Sequence, residues 1–291
     1  GNVYGGISKV GNATRENEIT VSTGAYTDAF GGYTEVPSFG SGKAQSSEKE
    51  NSHDNKITIA GANVSGTVYG GYTTSTTGSA TKNKVEVTSG TVNNIVGGFS
   101  MAGAASNNEI TLKGGVTVGS VLGGQGATTT DNKVNLEGAT VTGAVTGGSA
   151  GGTGHELTVR NTNAAGSLVG FGKLKFDVGT AATNPMLTLT GGASTHGWNT
   201  LEAIGTTAGP VTLMQSGTAM TFTGYNGAHS GINSADTTEF NIDTENRTAT
   251  DHKVIAQSYQ YRGQTNAVTS IGTDVYGGIS RVANATRENN I

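Results

Sequence analysis

Cysteine is absent from the 291 residues, proline occurs three times, and only 13% of the residues are charged. Without cysteine the chain can form neither a disulfide framework nor a thiolate metal site. The formal net charge is −4 and the lysines and arginines are scattered singly, which argues against binding to nucleic acid or to an anionic membrane. A signal peptide and an apolar run of membrane-spanning length are also missing. Because the sequence begins within a repeat, we expect it to be a fragment of a longer protein.

Glycine is abundant, with 48 residues, and much of it occurs as pairs that recur through the first half of the chain. The spacings between successive pairs are 26, 39, 27, 26 and 24 residues, and an apolar residue usually precedes each pair. Glycine tolerates φ above zero and has no Cβ to clash at a bend, so we predict that the pairs occupy corners. The pairs are Gly5-Gly6, Gly31-Gly32, Gly70-Gly71, Gly97-Gly98, Gly123-Gly124 and Gly147-Gly148.

A second signal lies between the pairs, where an asparagine precedes alternating aliphatic and polar residues, as in Asn83-Lys-Val-Glu-Val87. Such alternation is typical of a strand with one buried face. Each unit holds about three short β-prone pieces. A period in the mid-twenties with this content predicts an all-β chain in which each unit is one coil of a right-handed parallel β-helix, or β-solenoid.

Stacked coils place equivalent residues in columns about 4.8 Å apart. Two entirely aliphatic columns are predicted to form the core, and the polar residues between them should face solvent because adjacent side chains alternate. The asparagines at the strand entrance are predicted to form an amide ladder, with His155 in the place of the last one. The aliphatic columns are Ile19, Ile57, Val85, Ile110, Val134 and Leu157, and Val21, Ile59, Val87, Leu112, Leu136 and Val159; the asparagines are Asn17, Asn55, Asn83, Asn108 and Asn132.

The chain divides into three regions. Residues 1–170 are predicted to form the regular coils, interrupted at about residues 25–54 by an insertion that loops off the stack. Residues 171–272 carry larger apolar side chains and are predicted to be a less regular β-rich continuation or cap, which would protect the end of the solenoid from edge-to-edge pairing. Residues 273–291 are predicted to begin a second copy of the module.

The insertion is the predicted binding region, because insertions on one face of a solenoid frequently carry the binding residues. Its aromatic residues Tyr26, Tyr33 and Phe39 are therefore the candidate contact surface. The alternative is an inert solvated loop.

The end of the chain repeats its beginning. Residues 275–291 match residues 3–19 at 14 of 17 positions, with Val275 aligned to Val3 at an offset of 272. Either a longer parent chain carries tandem modules of this length, or separate subunits assemble when the tail of one completes the first coil of the next. Both arrangements predict an elongated assembly with end-to-end contacts. The predicted module-junction residues are Val3, Tyr4, Gly5, Gly6, Val275, Tyr276, Gly277 and Gly278.

Catalytic, cofactor-binding and metal sites are not expected. Polysaccharide-cleaving β-helices need carboxylates clustered on one face, but here the aspartates lie far apart in sequence and share no column. The five histidines have no metal-ligand spacing, and the glycine-rich stretches lack the Lys-Ser/Thr of a phosphate-binding loop.

The Val-Tyr-Gly-Gly coils, the Asn-Lys-Val strands and the later block Pro185-Met-Leu-Thr-Leu with Trp198-Asn-Thr-Leu201 resemble the passenger regions of bacterial autotransporter (type V secreted) adhesins. The likeness covers most of the chain. It implies export through an outer-membrane barrel and display on the surface of a Gram-negative-type bacterium, with a role in adhesion or autoaggregation. The absence of cysteine is compatible with export of an unfolded chain across a periplasm. Long, nearly identical modules favour a giant repetitive surface protein or fibre over a short adhesin.

The expected function is therefore that of a structural and adhesive protein of the cell surface or an extracellular filament. Its expected partners are a neighbouring module or subunit and, further, surface glycans or proteins, but not nucleic acid. The alternative is a β-helix that binds or cleaves carbohydrate in a groove along the coils. An exposed row of aromatic and acidic residues would favour this alternative, whereas a featureless Thr/Asn face would favour the structural function.

Overall fold

A computed structural model describes residues 1–9, 13–35, 50–149, 152–178, 185–191, 194–196, 200–205, 211–216, 220–222, 238–243, 246–248 and 251–260. The regular elements within these ranges are strands. None of the described residues forms a helix long and apolar enough to cross a membrane.

The strands are short except for two that run through several bends. They are β1 Val3–Ser8, β2 Thr14–Arg15, β3 Glu18–Val21, β4 Ala25–Tyr26, β5 Ala29–Thr34, β6 Ser52–His53, β7 Lys56–Thr73, β8 Ala80–Thr81, β9 Lys84–Ser100, β10 Glu109–Lys113, β11 Thr117–Leu122, β12 Lys133–Glu137, β13 Thr140–Thr146, β14 Glu156–Arg160, β15 Asn163–Val169, β16 Lys173–Val178, β17 Leu187–Leu189, β18 Ser194–His196, β19 Thr200–Gly205, β20 Val211–Ser216, β21 Met220–Phe222, β22 Thr238–Asp243, β23 Asn246–Thr248 and β24 Asp251–Gln260.

Most of these strands form a parallel β-solenoid of about seven turns, which confirms the predicted fold class. Face A contains β3, the first part of β7 and of β9, and then β10, β12, β14, β16 and β19. Face B contains β4, the middle of β7 and of β9, the first part of β11, β13 and β15, and then β17 and β20. Face C contains β1, β5 and the last part of β7, β9, β11, β13 and β15. The two-residue strands β2, β6 and β8 form a short fourth side between faces C and A.

The register confirms both predicted aliphatic columns. Ile57 pairs with Val85 and Ile59 pairs with Val87, and the same pairing continues turn by turn to Leu157 and Val159. From the second turn onward the side chains of both columns are fully buried. Each buried Leu, Ile or Val contributes about 1.5–3 kcal/mol relative to exposure, so the thin core is repeated at every turn.

The corner between the fourth side and face A consists of one residue in the left-handed region, directly before the asparagine column. Glu16, Asp54, Lys82 and Asp131 have φ of 55, 56, 57 and 54°, although none of them is glycine. Asx-type and polar residues tolerate this conformation better than β-branched ones. The glycine pairs are not among the residues with positive φ, so the prediction that they occupy corners was wrong.

The predicted insertion at residues 25–54 is too long. Strand β4 pairs with Asn63 and Val64, and β5 pairs with residues 68–73, so both are ordinary parts of the stack. The pair Gly31-Gly32 aligns with Gly70-Gly71 of the next turn. A glycine pair marks a regular coil in this sequence, so Gly31-Gly32 itself indicates that β5 belongs to the stack. The extra length lies between β5 and β6, and residues 36–49 are outside the described residues.

The parallel stack continues beyond residue 170, where the glycine pairs lose their period. Leu174 pairs with Leu157 and then with Leu201, which extends the first aliphatic column into β16 and β19. Strand β20 is the point of change, since it pairs with β17 in parallel and with β24 antiparallel. Strand β24 in turn pairs antiparallel with β22 and β23. The predicted start of the next module, residues 273–291, lies outside the described residues.

Candidate functional site

A buried amide ladder runs along the inside of the corner, and Asn83 shows its pattern. Its Oδ1 accepts hydrogen bonds from the backbone N–H and from Nδ2 of Asn55, at 3.1 and 2.9 Å. Its Nδ2 donates to Oδ1 of Asn108 at 3.1 Å and to the carbonyl of Ser52 at 2.9 Å. Asn55 and Asn108 repeat this arrangement, so every amide donor and acceptor is satisfied in a site with no exposed surface. The predicted ladder is confirmed.

The glycine pairs on face C leave room for this ladder. A Cβ built at Gly98 would lie 2.6 Å from Nδ2 of Asn108, and one built at Gly5 would lie 2.6 Å from the carbonyl oxygen of Gly31 in the next turn. Real side chains do not approach backbone oxygen so closely. The second glycine of each pair therefore faces the ladder, and the first faces the backbone of the neighbouring turn.

His155 continues the ladder by a different bond. Its Nδ1 accepts the backbone N–H of Asn132 at 3.1 Å, so Nε2 carries the proton of the neutral ring and lies 3.4 Å from Oγ1 of Thr129. The side chain is 1% exposed. Burial lowers the pKa of His155, and the nearby carboxylate of Asp131 opposes this shift only in part.

Two columns of aromatic rings lie on the outer surface of face C, on either side of the glycine pairs. Rings within a column are stacked, with centroids 4.6–5.1 Å apart and planes within 12° of parallel. Rings of different columns meet edge to face at 5.0–6.2 Å. Both geometries are favourable for aromatic pairs, each adding about 0.5–1.5 kcal/mol beyond area burial. We call these six rings the aromatic ladder: Tyr4, Phe30 and Tyr69 in the first column, and Tyr33, Tyr72 and Phe99 in the second.

The aromatic ladder covers its own members. Phe30 points outward and is nevertheless only 5% exposed, because Tyr4, Tyr69, Tyr33 and Tyr72 surround it. Burial raises the pKa of the Tyr33, Tyr69 and Tyr72 phenols, so they are neutral hydroxyl groups at pH 7.

The predicted contact residues do not form one surface. Tyr33 lies in the aromatic ladder, and its ring centroid is 5.5 Å from that of the predicted junction residue Tyr4. Tyr26 lies on face B, where it packs against the core, so it cannot share a surface with Tyr33. Phe39 and the junction residues 275–278 are outside the described residues.

Sequence reasoning missed the second column of rings. The residue before each glycine pair was recognised as apolar, but the residue after it was not considered. Ile7, Tyr33, Tyr72 and Phe99 all occupy this position. Positions three residues apart in a regular strand face opposite sides, so the spacing does not predict this column. The two rings meet because the backbone departs from regular alternation at the glycine pair.

The ladder geometry bears on carbohydrate binding. Sugars bind aromatic side chains through the ring faces, but here each internal face is covered by the next ring at 4.6–5.1 Å, and the ring edges are outermost. Within the described residues there is also no group of three or more His, Cys, Asp or Glu side chains that could hold a metal ion.

Face A carries a ladder of ion pairs on its outer surface. Lys113 Nζ lies 2.7 Å from Glu86 Oε1 of the preceding turn, and the Lys113 side chain is 43% exposed. Arg160 reaches carboxylates of the turns on both sides. We call these contacts the ion-pair ladder: Lys56–Glu18, Lys84–Glu109, Lys113–Glu86, Arg160–Glu137, Arg160–Asp177, Lys173–Glu156 and Lys173–Glu202.

The first turn is an open edge within the part of the chain that the structure describes. Strands β1, β2 and β3 each have a hydrogen-bonded neighbour strand on one side only. Asn17 donates to Asn55 at 2.6 Å, but no described residue donates to its Oδ1. A cleft of about 410 Å³ opens beside it and is lined in part by Gly6, Ser8 and Thr14.

No protein-family model, curated protein or solved structure matches the chain.

Proposed function

We propose that the chain is a module of a structural and adhesive protein of the bacterial cell surface or of an extracellular filament, in which β-solenoid modules adjoin end to end. The observation that carries the proposal is the recurrence of residues 3–19 at residues 275–291. Residues 3–19 form most of the first turn, including β1, β2 and the start of β3. The described part of the repeated segment therefore holds members of face C, the fourth side, the asparagine column and the first aliphatic column, while Val21 and face B follow after it.

The architecture supports this role because its columns are open-ended. In a repeat protein each unit contacts only its neighbours, so stability grows with the number of units and the array can extend along one axis. A further turn can pair with the strand edge at β1 and β3. It can also donate a hydrogen bond to Oδ1 of Asn17 and stack an aromatic ring on the outer face of the Tyr4 ring. Such an array is stiff and long, as a stalk or filament requires.

The location on the surface of a Gram-negative-type bacterium and the adhesive role draw support from the resemblance to autotransporter passengers and from the absence of cysteine. The proposed activity is non-enzymatic. The carbohydrate-active alternative has weaker support, because the ring faces of the aromatic ladder are occupied by neighbouring rings.

The mass and shape of the native assembly test the proposal. A denaturing gel of the protein from its source is run beside negative-stain electron microscopy of the native particle. We expect a long, thin particle together with either a very large denatured chain, for tandem modules, or a chain near 29.2 kDa, for subunits joined by their tails. A compact particle with a small chain would overturn both forms of the proposal and would favour the carbohydrate-active alternative.

A further inference from the structure

Face C carries a largely apolar strip on its outer surface, interrupted by Thr146 in its first column and ended by Gln125 in its second. Among the described residues three large hydrophobic side chains are exposed, and they lie on this strip or at its margin: Ile7 is 48% exposed, Met101 61% and Val169 49%. Ile7 and Val169 belong to the first and last turns of the strip, and Met101 directly follows β9 in the middle. We define the apolar strip as the aromatic ladder together with Ile7, Val96, Met101, Leu122 and Val169.

The other two faces differ from the strip. The outer surface of face A carries the ion-pair ladder. The outer surface of face B carries exposed polar residues such as Asn63 and Thr117. An apolar surface confined to one face of a soluble solenoid, with polar surfaces beside it, is typical of an interaction surface.

The strip tapers along the solenoid. In its first column the outward residues run Tyr4, Phe30 and Tyr69 in the first three turns, and Leu122, Thr146 and Val169 in the last three. In the second column aromatic rings reach Phe99, which is followed by Gln125. The outward side chains of the strip are therefore large at its amino-terminal end and small at its carboxyl-terminal end.

From this taper we propose that the apolar strip binds the same strip of a second copy of this chain, with the two solenoids antiparallel and related by a two-fold axis. In this arrangement the bulky turns of one copy face the small turns of the other. Interdigitation of large with small residues is the condition for dense packing. The two-fold axis then runs along the strands of the middle turn, so each column faces its own copy. Tyr4 faces Val169 of the partner subunit, and Phe99 and Met101 lie near the axis.

A parallel pairing fits less well. It would set each column against the other column of the second copy. Rings would then face rings at one end, as Phe30 would face Tyr33 of the partner subunit, whereas Leu122 would face a small or polar position at the other end, so the surfaces would diverge. A second copy also has the same spacing of about 4.8 Å between its turns, so side chains of one strip fit between those of the other over the whole length. Two self-complementary faces of this kind form a closed, isologous pair.

The area of the strip places the interaction among the small interfaces. Six steps between seven turns span about 29 Å, and five or six residues across a strand span about 17–20 Å. The strip thus buries about 500–600 Å² on each copy, which is at the low end for a specific interface. A single pair should dissociate in the micromolar range or more weakly, whereas arrays of modules would gain avidity.

The test is analytical ultracentrifugation of the 291-residue chain at concentrations up to about 100 µM. We expect a monomer–dimer equilibrium that weakens at least tenfold in Ile7→Lys, Met101→Lys and Val169→Lys. These side chains are already exposed, so the fold should survive, and circular dichroism checks this. Thr117→Lys, exposed on face B, is the matched control and should dimerise like the parent chain. A parent chain that stays monomeric, or variants that dimerise undiminished, would overturn the proposal.

Cross-linking fixes the orientation, because the chain has no native cysteine. Under mild oxidation, a mixture of Tyr4→Cys and Val169→Cys chains should form the mixed dimer faster than either homodimer, and Met101→Cys alone should form a homodimer. Fast mixed dimers of Tyr4→Cys with Ile7→Cys chains would instead mean a parallel pair and overturn the antiparallel arrangement. Rates no higher than those of Thr117→Cys would mean random collision. Electron microscopy separates this inference from the proposed function, since lateral pairing widens a particle and end-to-end stacking lengthens it.

Discussion

Two ladders of polar side chains run along the same solenoid, one buried and one exposed. In the amide ladder Asn83 makes four hydrogen bonds with no exposed surface, and each replaces a bond to water that burial removed. In the ion-pair ladder Lys113 and Glu86 remain 43% and 26% exposed, so water competes for both charges. Formal charge therefore does not decide which polar contact holds the turns together. The cost of leaving a partner unsatisfied decides it, and that cost is high only inside.

The largest effect is expected for Asn83→Ala. This change leaves the backbone N–H of Asn55 without its acceptor and removes one of the acceptors of Asn55 Nδ2. It also removes the side-chain donor to the carbonyl of Ser52 and to Oδ1 of Asn108, which keeps only the backbone N–H of residue 83. Each buried polar group left unsatisfied costs about 1–3 kcal/mol, and partial relaxation reduces the sum, so we expect a loss of about 4 kcal/mol in the free energy of unfolding. Urea unfolding followed by circular dichroism measures it. Asn17→Ala, at the half-buried open end, is the control and should lose only about 1 kcal/mol. Equal losses at both sites would contradict the argument from burial.

Gly98→Ala perturbs the same amide ladder from face C, where the glycine pairs pack against the asparagine side chains. The new methyl group would lie 2.6 Å from Nδ2 of Asn108 and 2.7 Å from the carbonyl of Ala80, so the amide or the backbone must move. Forcing a side chain into a filled site typically costs about 1–3 kcal/mol, and we expect the upper part of this range, again from urea unfolding.

Gly172→Ala is the control for that substitution. Nothing lies within 4 Å of the Cβ position at Gly172, and its φ is not positive. The free energy of unfolding should therefore be unchanged or rise by about 0.5 kcal/mol, because alanine lowers the entropy of the unfolded chain. A loss at Gly172 similar to that at Gly98 would mean that the backbone preference of glycine, and not close packing against the amide ladder, causes the loss of stability at Gly98.

His155 allows the ladder to be tested by pH. Burial lowers its pKa in the folded state, so the ring is neutral in both states above the ordinary value of about 6.5, and its contribution to stability is fully present there. As the pH falls below this value, the unfolded chain takes up a proton that the folded chain resists, and stability is lost. Protonation of Nδ1 would also remove the acceptor for the backbone N–H of Asn132. We expect the urea midpoint to fall between pH 7.5 and 5.5.

His155→Asn is the matched variant, since it restores the residue type found in the preceding turns. An amide does not titrate in this range, so the fall of the midpoint between pH 7.5 and 5.5 should become smaller than in the parent chain. The Asp131→Asn variant separates the contributions, because removing that carboxylate should lower the pKa of His155 further and steepen the loss. An unchanged pH profile in His155→Asn would mean that other groups cause the acid sensitivity.

The sequence was sufficient to predict the fold and the buried ladder, but not the outer surface. Aliphatic and asparagine columns recur at fixed positions because a parallel register leaves them no alternative, and the pairing of Ile57 with Val85 follows from the period alone. The corner was assigned to the glycine pairs because glycine is the usual residue at positive φ. The residues at positive φ are in fact Asp54, Lys82 and their equivalents, and close packing against the amides requires the glycines. Local sequence does not reveal such an approach between segments of different turns.

The aromatic ladder could not be assigned as a site for a related reason. Tyr33 was predicted in a loop because the spacing of 39 residues between glycine pairs suggested that the whole segment leaves the stack. The register places the extra length after β5, and Tyr33 therefore stacks on Tyr72. A spacing gives the length of an insertion but not its starting point, which depends on the strand pairing.

The smallest effect is expected for Lys113→Ala in the ion-pair ladder. The hydrogen bond and charge of Glu86 raise the pKa of Lys113, so the two groups do interact, but both are partly solvated. An exposed pair of this kind contributes about 0.5 kcal/mol, and salt screens it. We expect a loss no larger than this at low salt, measured by urea unfolding, and none at about 1 M NaCl, where the Debye length is about 3 Å. Asn83→Ala should lose as much at high salt as at low salt, because no net charge is involved. If Lys113→Ala were as damaging as Asn83→Ala, or if its effect did not depend on salt, cohesion between the turns would depend on charge and not on the satisfaction of buried amides.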